Sequence, residues 1–256
     1  MTVRDQLTTC ICVIAFALPL TAQNRSSAQN SQKDIDPLAL RVLQAATDQI
    51  KDAKSYSFRA LVSRDYLGTD DQIITLFSGG EFTVEKPNKL HVNFRGAGQP
   101  VEMFFDGSGS TTLYSPSANL YSKVATPATI DAALDDLAKR DITIAVSNFL
   151  RSDPYKSLTA ALKTAYAVGT TDLFGQKVYH LAFTEPGAEW QMWLVGNDKP
   201  TVKRVEIIDK TLPHNPRISI DFLDWNFSPD ISAATFTFNK PADAHEIQML
   251  KDVAEK

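Results

Sequence analysis

The segment Y-S-F-R-A-L-V-S, residues 56–63, marks the point at which the hydrophobic pattern of the chain changes its period. Tyr56, Phe58, Ala60 and Val62 occupy every second position, and mostly polar residues stand between them. This alternation is typical of a β-strand with one buried face. The segment therefore predicts a strand and directs the interpretation of the chain towards a β-rich fold.

Similar segments follow along the chain, separated by short turns rich in glycine, proline and aspartate. Their regular spacing predicts an antiparallel meander that forms a barrel or a sandwich. We interpret Gly79-Gly80 as a bulge or a hairpin turn within one long strand. The predicted further strands are 73–85, 90–95, 101–105, 111–114, 120–124, 166–172, 177–184, 189–195, 202–208, 217–227 and a last short piece at 235–238.

Helices are predicted before and between these strands. Asp36-Pro37 and Asp153-Pro154 each combine an N-cap acceptor with a proline in the first turn. The helix that begins at Asp36-Pro37 should end near residues 52–54. The helix that begins at Asp153-Pro154 should bury an apolar stripe from Leu158 to Ala165. Residues 127–140 and 142–150 are predicted as two more helical segments. The fold class is therefore mainly β with helices (α+β).

The N-terminus has the features of an export signal. A positively charged start is followed by an apolar run that is too short to span a bilayer comfortably. We predict a signal peptide over residues 1–28, a flexible leader over 29–35 and a single domain over 36–250. Cleavage after Ala22 and cleavage after Ala28 both remain open, as does an uncleaved anchor helix.

Both cysteines, Cys10 and Cys12, lie inside the predicted signal peptide. The mature chain would therefore have no disulfide, no thiolate–metal site and no cysteine nucleophile. Both also lie before most of the apolar run, which is too early for a lipid-attachment cysteine. We expect a periplasmic, non-lipidated protein without a transmembrane segment, and a monomer.

The charge of the chain argues against nucleic acid as a partner. The full chain has a formal charge of -4, and removal of Arg4, Asp5 and Arg25 with the signal peptide changes it to -5. Binding to a phosphate backbone normally requires a basic surface. We therefore expect no nucleic-acid partner.

Catalytic and metal-binding motifs are not evident. The four histidines are scattered along the chain, without the spacing of a typical metal site. The segment G-S-G-S at 107–110 lacks the lysine of a phosphate-binding loop, and a tight turn explains it better. We expect no enzyme activity, no metal and no cofactor.

Several strands carry large apolar side chains on both faces. In W-Q-M-W-L, residues 190–194, Trp190, Met192 and Leu194 share one face and Trp193 lies on the other. A curved sheet with a ligand in its concave face would produce this pattern, and so would helices packed on a sheet without a cavity. The pattern leaves both alternatives open.

Three segments resemble the lipoprotein carriers of the LolA type. They are K-P-N-K-L-H-V-N-F-R at 86–95, F-F-D-G-S at 104–108 and L-Y-S-P-S-A-N-L-Y at 113–121. The ending A-A-T-F-T-F-N-K-P-A-D-A-H-E-I at 233–247 is similar to the closing segment of that family. The chain most closely resembles an uncharacterised family of predicted periplasmic proteins that share the fold.

This resemblance implies a half-open antiparallel β-barrel of about eleven strands, whose concave face is covered by helices as a lid. In the carriers that cavity receives the acyl chains of a lipoprotein. The carriers place an arginine before the proline of the first motif as a latch between barrel and lid. Lys86 stands there in this chain and lacks the planar fork of a guanidinium, so the resemblance implies the fold more directly than it implies lipoprotein transfer.

The leading hypothesis is therefore a binding protein for a lipid, an acyl chain or an acylated protein. The alternative is an interaction or sensor module that binds another envelope protein through the same fold. Lys86 is the candidate lid latch. The residues expected to line the apolar cavity are Phe58, Phe94, Met103, Phe105, Leu134, Leu137, Trp190, Met192 and Leu194.

Overall fold

The computed structural model describes residues 34–96, 100–196 and 198–248. The predicted signal peptide and most of the predicted leader lie outside these residues. Three α-helices are described: α1 (Pro37–Asp52), α2 (Ile130–Lys139) and α3 (Pro154–Thr159). The first six strands are β1 (Ser55–Leu67), β2 (Ile73–Glu85), β3 (Lys89–Gly96), β4 (Val101–Phe105), β5 (Ser110–Ser115) and β6 (Leu120–Ala125). The others are β7 (Thr164–Leu173), β8 (Gln176–Glu185), β9 (Ala188–Val195), β10 (Thr201–Asp209), β11 (Arg217–Asn226) and β12 (His245–Glu246).

All the strands belong to one sheet in the order β12-β6-β5-β4-β3-β2-β1-β11-β10-β9-β8-β7. Every neighbouring pair is antiparallel except the pair of β12 with β6, which is parallel. The sheet is curved. It is not closed, because β12 and β7 lie at opposite ends of the strand order and do not pair with each other. The predicted half-open barrel with helices is confirmed, and the two-residue β12 adds a strand to the eleven that were expected.

The two faces of the sheet follow from the register of β1 with β2. Every second residue of β1 points to the inner face, where Phe58 lies opposite Phe82 and Val62 lies opposite Ser78. Phe58, Val62 and Phe82 are all buried. The alternation seen in residues 56–63 is therefore that of a strand with one face in the core, as predicted.

Helix α1 covers the inner face near the β7 edge. Its N-cap residue Asp36 accepts a hydrogen bond of 2.8 Å from the main-chain nitrogen of Leu38, and the helix ends at Asp52. Leu43 and Ile50 are fully buried in the common core. The helix packs on β7, β8 and α3, and both of its predicted ends are confirmed.

An aromatic cluster fills the inner face where β1 begins. The ring of Phe58 lies 4.8 Å from that of Phe82 and 4.4 Å from that of Trp225, measured between centroids. The hydroxyl of Tyr56 donates a hydrogen bond of 2.8 Å to the carbonyl oxygen of Phe149. These contacts close this end of the concave face and tie the segment after α2 to the sheet.

The prediction of a helix over residues 142–150 is wrong for most of its length. Helix α2 ends in a Schellman arrangement, in which Ile142 donates to the carbonyl of Leu137 and Asp141 donates to that of Ala138. Asp141 has a positive φ of 60°, which turns the chain away from the helix axis. β-Branched residues at 142–144 then disfavour a new helix, and only a 3₁₀ turn over Ser147–Phe149 forms.

Three smaller predictions also differ from the structure. Helix α3 ends at Thr159, and Ala165, which was predicted to belong to its apolar stripe, is a strand residue opposite Phe183. The Gly79-Gly80 pair lies in continuous ladder with β1 and is neither a turn nor a bulge. The predicted last strand is instead a 3₁₀ turn over Ala233–Phe236.

The end of the predicted flexible leader contacts the domain. Ile35 forms an isolated parallel bridge with Ala165, and the nitrogen of Ala165 donates to the carbonyl of Asp34. All the described residues belong to one compact unit. Within them, no helix has the length and apolar character needed to cross a membrane.

Candidate functional site

A cavity of about 600 Å³ lies between the inner face of β1–β5 and the segment 141–146, which follows α2. The lining is mostly apolar, with a few polar groups. The sheet contributes Val62, Arg64, Tyr66, Leu76, Ser78, Phe82, Val92, Phe94, Val101, Met103 and Leu113, and the covering segment contributes all six of its residues.

Small residues in the sheet create the floor of this cavity. Ser78 lies opposite Val62 on one side and Gly96 on the other, so this row carries little side-chain volume. Gly80 follows on the same face, where the ring of Phe82 occupies the space above it, because a Cβ atom on Gly80 would lie 2.7 Å from that ring. The cavity therefore forms where the inner face lacks bulk, in contrast to the aromatic cluster at the other end of β1.

The roof of the cavity is a single irregular segment that is anchored at both ends. Its first end is held by the Schellman arrangement of α2, and its last residue, Val146, is buried. Ile142 and Ile144 are half-buried and line the cavity. Because Thr143 and Ala145 are exposed, only one layer of chain separates the cavity from solvent here.

The mouth of the cavity lies towards the far end of β1 and the start of β2. Tyr66 and Leu76 line it and are 48% and 39% exposed. Ile74 lies opposite Tyr66 on the same inner face and is also exposed, whereas the exposed Leu67, Ile73 and Phe77 of this hairpin lie on its outer face. The apolar cavity thus opens beside an apolar rim formed by Tyr66, Ile74 and Leu76. Isolated exposed apolar residues are common, whereas a contiguous group usually marks a contact or ligand site.

Comparison with known proteins places the chain in a family. The family model described as "Predicted periplasmic protein (DUF2092)" matches residues 39–250. The chain belongs to this family. No curated protein matches it in sequence.

Solved structures similar to this DUF2092 chain include three bacterial proteins. An uncharacterized conserved protein from Thermus thermophilus is 10% identical with a TM-score of 0.47, and the match covers 83% of this chain and 99% of that one. The lipoprotein LppX from Mycobacterium tuberculosis is 13% identical with a TM-score of 0.44, covering 77% and 100%. A LolA superfamily protein from Nitrosomonas europaea is 14% identical with a TM-score of 0.35, covering 78% and 98%. At these TM-scores, none of the likenesses carries an argument about what this chain binds.

The predicted lining residues fall into two groups. Phe94 and Met103 line the cavity. The other seven are buried in the core and are not among the residues that line it: Phe58, Phe105, Leu134, Leu137, Trp190, Met192 and Leu194. The sequence interpretation missed Val62, Tyr66, Leu76, Val101, Leu113 and the covering segment, although the alternation within β1 and β4 places Val62 and Val101 on the inner face.

Lys86 joins the turn between β2 and β3 to the end of α1. Its ammonium nitrogen donates to the main-chain carbonyl oxygens of Ile50, at 2.7 Å, and Lys51. Burial lowers the pKa of Lys86 below its usual value, while Asp52 and Asp131 act in the opposite direction. The following residue, Pro87, accepts a hydrogen bond from the nitrogen of Ile130 at the start of α2. The role of Lys86 as a latch stays a prediction.

Polar chemistry around the cavity is sparse. Among the described residues, no group of three or more histidine, cysteine, aspartate or glutamate side chains could hold a metal ion. The charged residues that line the cavity are Arg64 and Asp141. The arrangement can bury an apolar chain and present a charged group at its mouth.

Proposed function

We propose that this chain is an exported periplasmic protein that binds the acyl chain of a lipid or of a lipid-modified protein in the cavity between β1–β5 and the segment 141–146. The observation that carries the proposal is the combination of an apolar cavity with an exposed apolar rim at its mouth. The family's description as predicted periplasmic proteins supports the location.

The size and lining of the cavity suit such a ligand. Its volume of about 600 Å³ falls within the range of small-molecule sites, which is roughly 300–1,000 Å³. Burial of an acyl chain contributes about 0.8 kcal/mol for each CH₂ group. Non-covalent affinity therefore requires no bond-making residue, which agrees with the absence of a predicted catalytic motif.

The rim gives such a ligand a path into the cavity. An acyl chain that leaves an apolar environment and enters the cavity past Tyr66 and Leu76 remains in contact with apolar side chains during the transfer. The alternative function, an envelope interaction or sensor module, requires no ligand in the cavity. The two hypotheses therefore differ in whether the cavity is occupied.

A dye-displacement experiment tests the proposal on the purified mature protein. The neutral dye N-phenyl-1-naphthylamine is bound first and is then displaced by 1-decanol. Phe94→Gln should weaken both affinities about tenfold, which is about 1.4 kcal/mol, because Phe94 lines the cavity. Phe77→Gln is the matched control, because Phe77 is exposed and lies on the outer face. Failure of the unmodified protein to bind dye and decanol, or equal losses in both variants, would contradict the proposal.

A further inference from the structure

Arg64 stands at the mouth of the cavity, on the inner face of β1. It lines the cavity together with Tyr66, the next residue on the same face. Arginine is unusual in this position, because the inner face is otherwise the apolar face of the sheet. The side chain is exposed, so its guanidinium group is accessible to a ligand that enters from solvent.

The cross-strand neighbours of Arg64 are apolar on both sides. Leu76 of β2 lies directly opposite on one side, and Ile218 of β11 lies opposite on the other. Among the described residues, no acidic side chain forms an ion pair with Arg64. Asp141 also lines the cavity, at the first position of the roof segment.

The other arginines of β1, β10 and β11 each form an ion pair with a carboxylate. Arg59 of β1 pairs with Asp224, and Arg204 of β10 pairs with Asp221 at 2.7 Å. Arg217 of β11 pairs with Glu206 at 3.0 Å. The sheet therefore supplies a carboxylate to each of these guanidinium groups and none to the one that lines the cavity.

A guanidinium group recognises carboxylate and phosphate groups through two parallel hydrogen bonds. An amphiphile whose chain occupies the cavity would place its head group at the mouth, beside Arg64. We propose that Arg64 binds the anionic head group, a carboxylate or a phosphate, of the acyl ligand. This inference rests on the proposed function, and it narrows the ligand class from any acyl chain to anionic amphiphiles.

The test compares three ligands with the same chain: decanoate, decyl phosphate and 1-decanol, each displacing the neutral dye at about pH 8. Arg64→Gln should weaken decanoate, decyl phosphate or both about tenfold and leave 1-decanol within about twofold. The anion that loses more identifies the carboxylate or the phosphate as the preferred head group. Arg95→Gln removes the same charge from the outer-face groove and should change none of the three affinities.

Each other outcome contradicts a defined part of the account. If Arg64→Gln leaves both anions unchanged, or weakens all three ligands alike, Arg64 does not bind the head group. The same conclusion follows if Arg95→Gln has an equal effect, because the effect would then be one of overall charge. If 1-decanol fails to bind the unmodified protein, the proposed function itself fails. Binding of decanol without a specific loss of anions overturns only the present inference.

Discussion

The ammonium nitrogen of Lys86 lies 2.7 Å from the main-chain carbonyl oxygen of Ile50, in the last turn of α1. Carbonyl groups at the end of a helix have no partner within the helix and carry the negative end of its dipole. A cation from the turn between β2 and β3 satisfies two of them here. The helix that covers one half of the concave face is thereby tied to the strands that form the other half.

Replacement of Lys86 should therefore destabilise the fold. We expect Lys86→Met to lower the free energy of unfolding by about 1–2 kcal/mol, because charge-assisted hydrogen bonds at a helix end are lost. Urea denaturation measures the effect. Lys54→Met is the matched control, since Lys54 is exposed and should change stability by no more than about 0.5 kcal/mol. Equal stability of the Lys86 variant and its control would show that the hydrogen bonds between Lys86 and the end of α1 do not stabilise the fold.

Helix α1 should behave as a fixed part of the core. Leu43→Ala should cost about 2–5 kcal/mol, because it leaves a cavity beneath the helix. Leu38→Ala on the same helix removes a side chain that is 48% exposed and should cost little. Urea denaturation of both variants is the measurement. A small effect of Leu43→Ala would indicate that α1 moves away from the sheet easily, so that ligands could enter beneath it.

His91 should make the stability depend on pH. Burial lowers the pKa of His91 from its usual value near 6.5, while Glu102 and Glu81 act in the opposite direction. Its Nε2 atom lies 3.9 Å from Glu102, which is too far for a hydrogen bond. At pH values between the lowered pKa of folded His91 and about 6.5, His91 therefore binds a proton more readily in the unfolded chain than in the folded one. Stability should therefore fall as the pH falls through that range.

The variant His91→Gln should show a smaller loss of stability between about pH 7 and pH 5. Urea denaturation at a series of pH values measures the slope. His245→Gln, at an exposed histidine of β12, should keep the slope of the unmodified protein. An unchanged slope in the His91 variant would assign the pH dependence to other groups.

The strands were largely predictable from the sequence, because alternation is a local property. The predicted bounds of β2 and β4 agree with the structure, those of β11 differ by one residue, and β1 extends a few residues beyond the predicted segment. Where local pattern and long-range pairing compete, the prediction failed. Ala165 has helical spacing with Leu158 and Leu162, but it pairs with Phe183 in the sheet.

The position of the cavity was less predictable, since the sequence does not specify what covers each part of the inner face. Trp190 and Met192 lie on that face together with Val62, but they belong to the buried core into which α1 also packs. The cavity instead depends on small residues, Ser78 and Gly96, and on the failure of residues 142–146 to form a helix. These features come from pairing between distant segments and from the end of α2.

The central claim, that the cavity holds an acyl chain, is tested most directly by native mass spectrometry of the mature protein purified from periplasm. Solvent extraction and lipid analysis of the same sample would identify any bound species. The account predicts that the unmodified protein and the Phe77→Gln variant carry an acyl-containing mass that is absent from Phe94→Gln. A mass equal to that of the polypeptide alone, unchanged when lipids are added, would contradict the claim and favour an envelope protein as the partner.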